Sequence, residues 1–407
     1  MTVTPRARAV VLGLGATLGA GILLGPAPAA AAAGPWFPLA AALAAVAALC
    51  SAFSTADQRR AYPDAPGGYG YTRNQLGPWP GRLAASAHLI GRSGLAAALA
   101  GVVGAYAFPD DRVLGGALLI ALTAVVGPRL RTRIGWAPVL VVLVVLALVV
   151  LVCFSVAPPG DPVPPADPAR GGGLDGLMSA AGLMFVVFTG FERVTAPLPG
   201  DQPFTTRALH VALPVLVGVV LVVVLAVGAA VLHQLGAARL ALSPAPLRDA
   251  LIAADGRALV PVLAVGAAVA GVTTLVFVLA GARRTLAGLV ENGDLPALRA
   301  QWPLDVLTAV FALTAFLLLT PTTALAVGAC GTAFYYGFTN ASARILLQED
   351  RTWSMRTACL GLGLSVLLAM NAPVDALLIT GVGLAIGTGL LGLHRVRQQP
   401  VDHQHHP

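Results

Sequence analysis

The chain reads as long apolar runs separated by short polar or proline- and glycine-rich joints. Runs long enough to cross a bilayer, ~17–25 residues each, begin near Ala9, Trp36, Leu83, Val113, Ile134, Leu174, Ala208, Ala258, Pro303, Thr322, Arg356 and Pro373. About twelve membrane-spanning helices are therefore predicted. No hydrophilic stretch is long enough to fold alone, so residues 1–407 read as one all-α membrane domain with a short polar tail after His394. Two runs differ from the rest. The first is interrupted by Gly13 to Pro26 (G-L-G-A-T-L-G-A-G-I-L-L-G-P), and the sixth by Gly182 to Pro199 (G-L-M-F-V-V-F-T-G-F-E-R-V-T-A-P-L-P). Backbone amides and carbonyls released from a helix inside hydrocarbon must face a cavity or another protein surface, so a broken span marks a binding site. The second break comes five spans after the first, and an odd separation turns the second copy upside down in the membrane. Two inverted five-span halves with broken helices 1 and 6 are predicted.

Composition agrees with lipid as the main solvent, since 57% of the 407 residues are hydrophobic and 11% charged. All 25 basic residues are arginine. Most of them fall in alternate joints: Arg6 and Arg8, Arg59 to Arg82, Arg129 to Arg133, Arg207, Arg283 to Arg299, Arg344 to Arg356, and Arg395 with Arg397. The positive-inside rule makes these joints cytoplasmic and places both termini there, in a cytoplasmic membrane. The opposite joints carry the Pro/Gly/Asp-rich stretch 157–175 and the segment 234–257, whose arginines are offset by acids. The net charge of +7 is thus a topology signal, and a nucleic-acid partner is not expected. Cys50, Cys153, Cys330 and Cys359 sit in or beside apolar runs without CxxC spacing, which reads as buried unpaired thiols. The N-terminal arginines and apolar run also fit a signal peptide. That run continues well past Ala29, and its loss would upset the arginine alternation, so it is expected to stay as a span.

The glycines have a second reading. Gly15 with Gly19, and Gly21 with Gly25, are small-xxx-small pairs that let helices pack closely. A dinucleotide loop does not fit, because the spacing is wrong and no strand precedes it. Inverted halves with paired broken helices are the layout of secondary transporters that bind near the midplane. Motifs along the chain point the same way. Leu18-Gly19-Ala20-Gly21-Ile22-Leu23 resembles the I-G-S/A-G-I-F signature of the amino acid, polyamine and organocation permeases. Pro63 to Arg73 (P-D-A-P-G-G-Y-G-Y-T-R) is similar to their P-x-A-G-G-x-Y-x-Y-x-R loop, with Pro66 where a Gly is usual. Phe188-Thr189-Gly190-Phe191-Glu192 is similar to their F-x-G-F-E, and Arg283-Arg284 followed by Glu291-Asn292-Gly293-Asp294-Leu295-Pro296 to the segment ending R-D-G-x-x-P. Four motifs in order cover most of the chain.

The resemblance implies a leucine-transporter-type five-plus-five inverted repeat, with the first repeat at about 9–156 and the second at about 174–348. Two extra helices at about 355–394 and a polar tail, 395–407, would follow. It implies alternating access for amino acids or related amines, with no enzymatic activity and no cofactor beyond a coupling ion, Na+ or H+. Two departures bear on coupling and gating. Thr195-Ala196-Pro197-Leu198-Pro199 replaces the usual acidic pair and proline, and Asp57 stands where Glu is common.

The expected chemistry follows from the break. Amides freed at Gly19, Ala20 and Gly21 open the second half-helix, where unpaired N–H groups and the helix dipole favour a carboxylate. Carbonyls freed near Thr17 and at Phe188 would take an ammonium, and a zwitterionic amino acid matches both. Thr189 and Phe191 complete the expected substrate segment, and Phe185, Phe188 and Phe191 are candidates to wall it or simply to pack. Arg92 lies roughly 14 Å into the third span at ~1.5 Å per residue, too deep to snorkel easily, with His88 one turn before it. Its expected partner is Glu192, which is also a candidate proton carrier. Ala270-Gly271-Val272-Thr273-Thr274 resembles the A-G-x-T-S run that holds sodium in the leucine-transporter fold. The candidate Na+ ligands are then Ala270, Thr273 and Thr274 with carbonyls of Gly15 and Leu18, although such hydroxyls also bond to their own helices. His403, His405 and His406 read as a polar tail, and neither His210 nor His233 as a site.

A membrane protease or lipid transferase is disfavoured, because H-E-x-x-H, G-x-S-x-G and paired intramembrane aspartates are all absent from the sequence. An exporter, an exchanger or a nutrient sensor that kept the fold and lost transport are the alternatives.

Overall fold

The computed structural model describes residues 4–130, 135–158, 173–196, 204–297, 300 and 302–398. Every regular element among them is helical. In chain order these are α1 (Pro5–Thr17), α2 (Ala20–Leu24), α3 (Pro26–Ala33), α4 (Phe37–Ala61), α5 (Gly68–Leu76) and α6 (Pro78–Ala107). They continue with α7 (Arg112–Leu130), α8 (Trp136–Ser155), α9 (Leu174–Phe185), α10 (Glu192–Thr195), α11 (Thr206–Leu242) and α12 (Pro246–Ala253). The last are α13 (Val260–Glu291), α14 (Trp302–Leu318), α15 (Pro321–Ala343), α16 (Met355–Met370) and α17 (Val374–Gln398). Eight helical stretches are long and apolar enough to cross a membrane, and α14 and α16 are shorter apolar helices. The chain is a multi-pass membrane protein, and a helix opens close to each of the twelve predicted starts.

The stretches differ in what covers them. Only about a quarter of the apolar window of α7 (28%) and of α17 (22%) is buried within the protein, against 78% for α6. Side chains such as Leu118, Leu122 and Val125 on α7, and Leu378, Val382 and Ile386 on α17, face outward. In hydrocarbon that exposure carries no hydrophobic cost. Helix α6 is central. Gly91 and Gly94 meet Gly328 and Gly331 of α15 so closely that a Cβ on Gly94 would lie 2.6 Å from the Gly328 amide nitrogen, and one on Gly331 2.7 Å from that of Gly91. With little hydrophobic drive between helices in lipid, this close approach of small residues is what packs them.

The first span is interrupted where the sequence predicts. α1 stops at Thr17, Leu18 leaves helical geometry (φ −75, ψ 61), and α2 begins after Gly19. Gly25 is itself helical (φ −52, ψ −39) and carries α2 into α3, so the second half is a continuous run. Span six departs from expectation. Between α9 and α10 the chain winds into a 3-10 helix, Val186–Phe191, and does not open. The Thr189 hydroxyl donates to the Val186 carbonyl at 2.9 Å and reinforces the tight turn. The segment 234–257, expected to be a plain joint, contains α12, tied down by the Leu247 amide donating to the Tyr106 hydroxyl at 3.1 Å. Cys359 is exposed on α16 and not buried, whereas the other three thiols are buried as predicted.

Candidate functional site

The two interrupted spans meet through glycine. A Cβ on Gly190 would collide with the Thr17 hydroxyl and stand 2.7 Å from the Gly13 carbonyl. One on Gly19 would sit 2.5 Å from Thr274 Oγ1 of α13, and one on Gly21 2.5 Å from Val187 Cγ2. At Gly19, Gly21 and Gly190 the absence of a side chain is therefore demanded by close packing at the break. The break itself is partly self-satisfied. The Gly19 amide donates to the Thr17 carbonyl at 2.8 Å, which removes both from the predicted set of free groups. The Thr17 hydroxyl donates to the Gly13 carbonyl at 2.6 Å. Ala20 and Gly21 occupy the first turn of α2, where no carbonyl lies one turn behind to receive their amides.

On span six Phe188 and Phe191 are fully buried, and Phe185 and Phe191 both pack on Tyr336, with ring centroids 5.7 and 5.2 Å away. Thr189 and Gly190 line a cavity with Ala16, Arg92, Glu192, Arg193, Ala196, Phe277, Gly281 and Arg284. This cavity touches both interrupted spans and α13.

Beside it lies a dense polar cluster. Arg92 Nη2 pairs directly with Glu192 Oε2, while Arg92 Nε donates to His88 Nε2 at 2.9 Å. His88 Nδ1 lies 2.6 Å from the Thr285 hydroxyl, and its Nε2 is also 3.4 Å from Glu192 Oε1. Tyr335 donates to Glu192 Oε1 at 3.1 Å and Tyr336 to Oε2 at 3.3 Å. The Gly68 amide donates to the Tyr335 hydroxyl at 3.0 Å, and the His88 and Tyr335 rings stack at 4.2 Å. One carboxylate on span six thus holds groups from α6 and α15, and through them α5 and α13. Each lone pair of a buried carboxylate left unfilled would be costly, and here both oxygens are occupied.

The predicted ion ligands are only partly gathered. Leu18, Gly19 and Ala270 line one small, wholly apolar cavity with Ile22, Val142 and Gly266 among others. The Thr273 hydroxyl turns onto its own helix, donating toward the Val269 and Ala270 carbonyls at 2.8 and 3.1 Å. The Thr274 hydroxyl, by contrast, is buried without a hydrogen-bond partner and faces Gly19. Of the two predicted hydroxyl ligands, it is the one whose oxygen is left unused.

The loop motifs also converge. Asp294 is fully buried and receives Arg73 Nη1 at 2.7 Å, Arg82 Nη2 at 3.0 Å and the Tyr69 hydroxyl at 2.9 Å. Burial first, then the Asp294 charge, hold the Tyr69 phenol above its ordinary pKa, so it stays a donor. Arg284 spans from the Ala196 carbonyl at the end of α10 to the Ala65 carbonyl at 3.3 Å. Asp57 accepts the amides of Thr352 and Trp353 at 2.8 and 3.2 Å. His210 packs on Trp353 and His233 on Phe154, each as an ordinary ring contact.

Tyr335, Tyr336, Thr285 and the two roles of Asp294 and Arg284 are not among the sequence-predicted site residues. A signal for the first pair exists, since adjacent tyrosines in an apolar run need partners for their hydroxyls. Pro197 to Pro199, Arg131, Arg133, Arg299, His403, His405 and His406 lie outside the described residues.

Residues 7–386 match the family described as amino acid permease. The chain is 35% identical over 404 residues, 95% of its own length and 90% of theirs, to proteins of Mycobacterium bovis and Mycobacterium tuberculosis, each described as an uncharacterized transporter.

Proposed function

The chain belongs to the amino acid permease family, whose members are transporters and not enzymes, and from that premise we propose that it carries amino acids or related amines across the cytoplasmic membrane by alternating access. The observation that carries this reading is the meeting of an interrupted first span with Thr189, Gly190 and Glu192 of span six around one cavity. In the proposal the chain crosses the membrane twelve times as two inverted five-span repeats plus two helices, with both termini cytoplasmic. The amides of Ala20 and Gly21 take the substrate carboxylate at the positive end of α2–α3. Thr17, Gly19, Phe188, Thr189 and Phe191 shape the surrounding segment, Gly19 by close approach to Thr274. In the proposal the arginine-rich joints face the cytoplasm, and the ties made by Asp294 and Arg284 hold elements together on that side.

Coupling rests on two groups. Glu192 holds its hydrogen-bond shell as a carboxylate, and a swing of span six that breaks the Arg92 pair exposes it to protonation. Thr274 supports the alternative, because an unused buried hydroxyl beside Gly19 suits a cation. Arg92 is then the fixed positive charge that braces Glu192.

Uptake into proteoliposomes tests the proposal, with a labelled amino acid panel, imposed Na+ and H+ gradients run separately, and counterflow as a third arm. Sodium-driven accumulation lost in Thr274→Ala assigns the ion to α13. Proton drive or counterflow alone assigns coupling to Glu192 and Arg92. Folded, inserted protein that moves no member of the panel in any arm would overturn the transport reading in favour of a sensor.

A further inference from the structure

The joint between α15 and α16 is fastened to α4. Asp57, buried near the carboxyl end of α4, gives both carboxylate oxygens to the joint's backbone: Oδ1 accepts the Thr352 amide at 2.8 Å and Oδ2 the Trp353 amide at 3.2 Å. A carboxylate near the negative end of a helix is disfavoured, and these two donors account for an acid at that position. Arg60, one turn further on, donates to the Thr352 hydroxyl and to the Glu349 carbonyl, both at 3.2 Å. The joint also holds its own shape. Gln348–Asp350 is a 3-10 turn, and Arg351 Nε reaches back to the Leu346 carbonyl at 2.9 Å.

This stiff segment positions Trp353, whose ring touches two helices. It lies on Phe53 of α4, one turn before Asp57, with centroids 4.9 Å apart and planes 14° from parallel. It also meets His210 of α11, at 4.6 Å and 31°. The two attachments are unequal. To α4 the joint makes four hydrogen bonds and a stack, whereas to α11 it makes the His210 ring contact and, among the described residues, no hydrogen bond. Helix α4 is in turn bonded to α15, with Gln58 Nε2 donating to the Thr339 carbonyl and Asn340 Nδ2 to the Ser51 hydroxyl, each at 3.0 Å. The joint, α4 and α15 therefore form one body. Displacing the start of α11 from that body has to part His210 from Trp353.

We propose that the joint 344–354 is a cytoplasmic clasp on α11: separation of His210 from Trp353 frees the start of α11 and opens the path from the cytoplasm to the cavity beside Glu192. This rests on the permease reading, which makes this side cytoplasmic. It adds a contact that is separate from the Asp294 and Arg284 ties and that no binding or coupling role uses.

The test places a reporter cysteine at Ala16, which lines that cavity from α1, in a Cys359→Ser background, since Cys359 is the exposed native thiol. A membrane-impermeant maleimide is added to either face of sealed vesicles holding the full chain. His210→Ala and Trp353→Ala should each speed labelling from the cytoplasmic face by about fivefold, the loss of one aromatic contact. Trp353→Phe keeps a ring and should retain part of the parent's protection. Labelling from the outer face should not rise. Unchanged cytoplasmic labelling in folded His210→Ala, or a rise that is equal at both faces, overturns the inference. His210 is exposed, so its removal leaves the core intact and the test stands where Trp353→Ala folds poorly. The readout needs no substrate. Protein that transports but shows no change in labelling removes the clasp alone, and protein that responds as expected but moves no amino acid removes the permease reading alone.

Discussion

Glu192 and Arg92 stand out in the sequence because charge within an apolar run is expensive, and the structure places them in contact. Their side chains are 13% and 10% exposed, so removing one strands the other. Glu192→Gln and Arg92→Met should each cost about 3–5 kcal/mol. Arg92→Met with Glu192→Gln should recover much of that, and thermal unfolding of the four proteins in detergent measures the coupling. Additive losses would show that the pair carries no interaction of its own. The tyrosines on the same carboxylate escape sequence reading, since Tyr335 and Tyr336 look like ordinary aromatic filling until a partner 143 residues away is known. Gly190 shows how close the spans sit. Gly190→Ala should destabilise by about 1–3 kcal/mol, and Thr17→Ala should relieve it only in part, because the Gly13 carbonyl also blocks the new methyl. Full rescue would mean that the Thr17 hydroxyl alone sets the distance.

At the scale of elements, helix starts are legible because length in a bilayer and the apolar pattern are tied by geometry. The interruption in the first span is legible for the same reason, through its glycines. The winding of span six is not, since a 3-10 turn and an open break have the same composition, and Gly190 is demanded by a neighbour rather than by its own backbone. Nor is α12, whose anchor is a hydroxyl on α6. The α6–α15 contact gives a comparison within one protein. Gly331→Val or Gly94→Val should destabilise sharply, whereas Gly389→Val on α17, where a Cβ meets nothing within 4 Å, should leave thermal stability nearly unchanged. Equal losses at both places would mean that glycine flexibility, and not close approach, sets the cost.

For the molecule as a whole, the arginine alternation predicts which joints share a side, and the structure brings the 63–73 and 291–296 motifs together at Asp294. What the sequence does not disclose is that one buried carboxylate gathers two arginines and a tyrosine. Asp294→Asn should weaken that tie, and amide exchange in residues 62–76 should speed up by tenfold or more. Exchange that stays as in the parent would place the stability of this loop elsewhere. A second consequence lies in the backbone contact between α6 and α15. Those helices cannot slide past one another without separating, so His88, Arg92, Tyr335 and Tyr336 form a rigid set of catches. Glu192 is bonded to Arg92, Tyr335 and Tyr336 at once, so a displacement of span six would have to give up these contacts together, as a latch does and a spring does not.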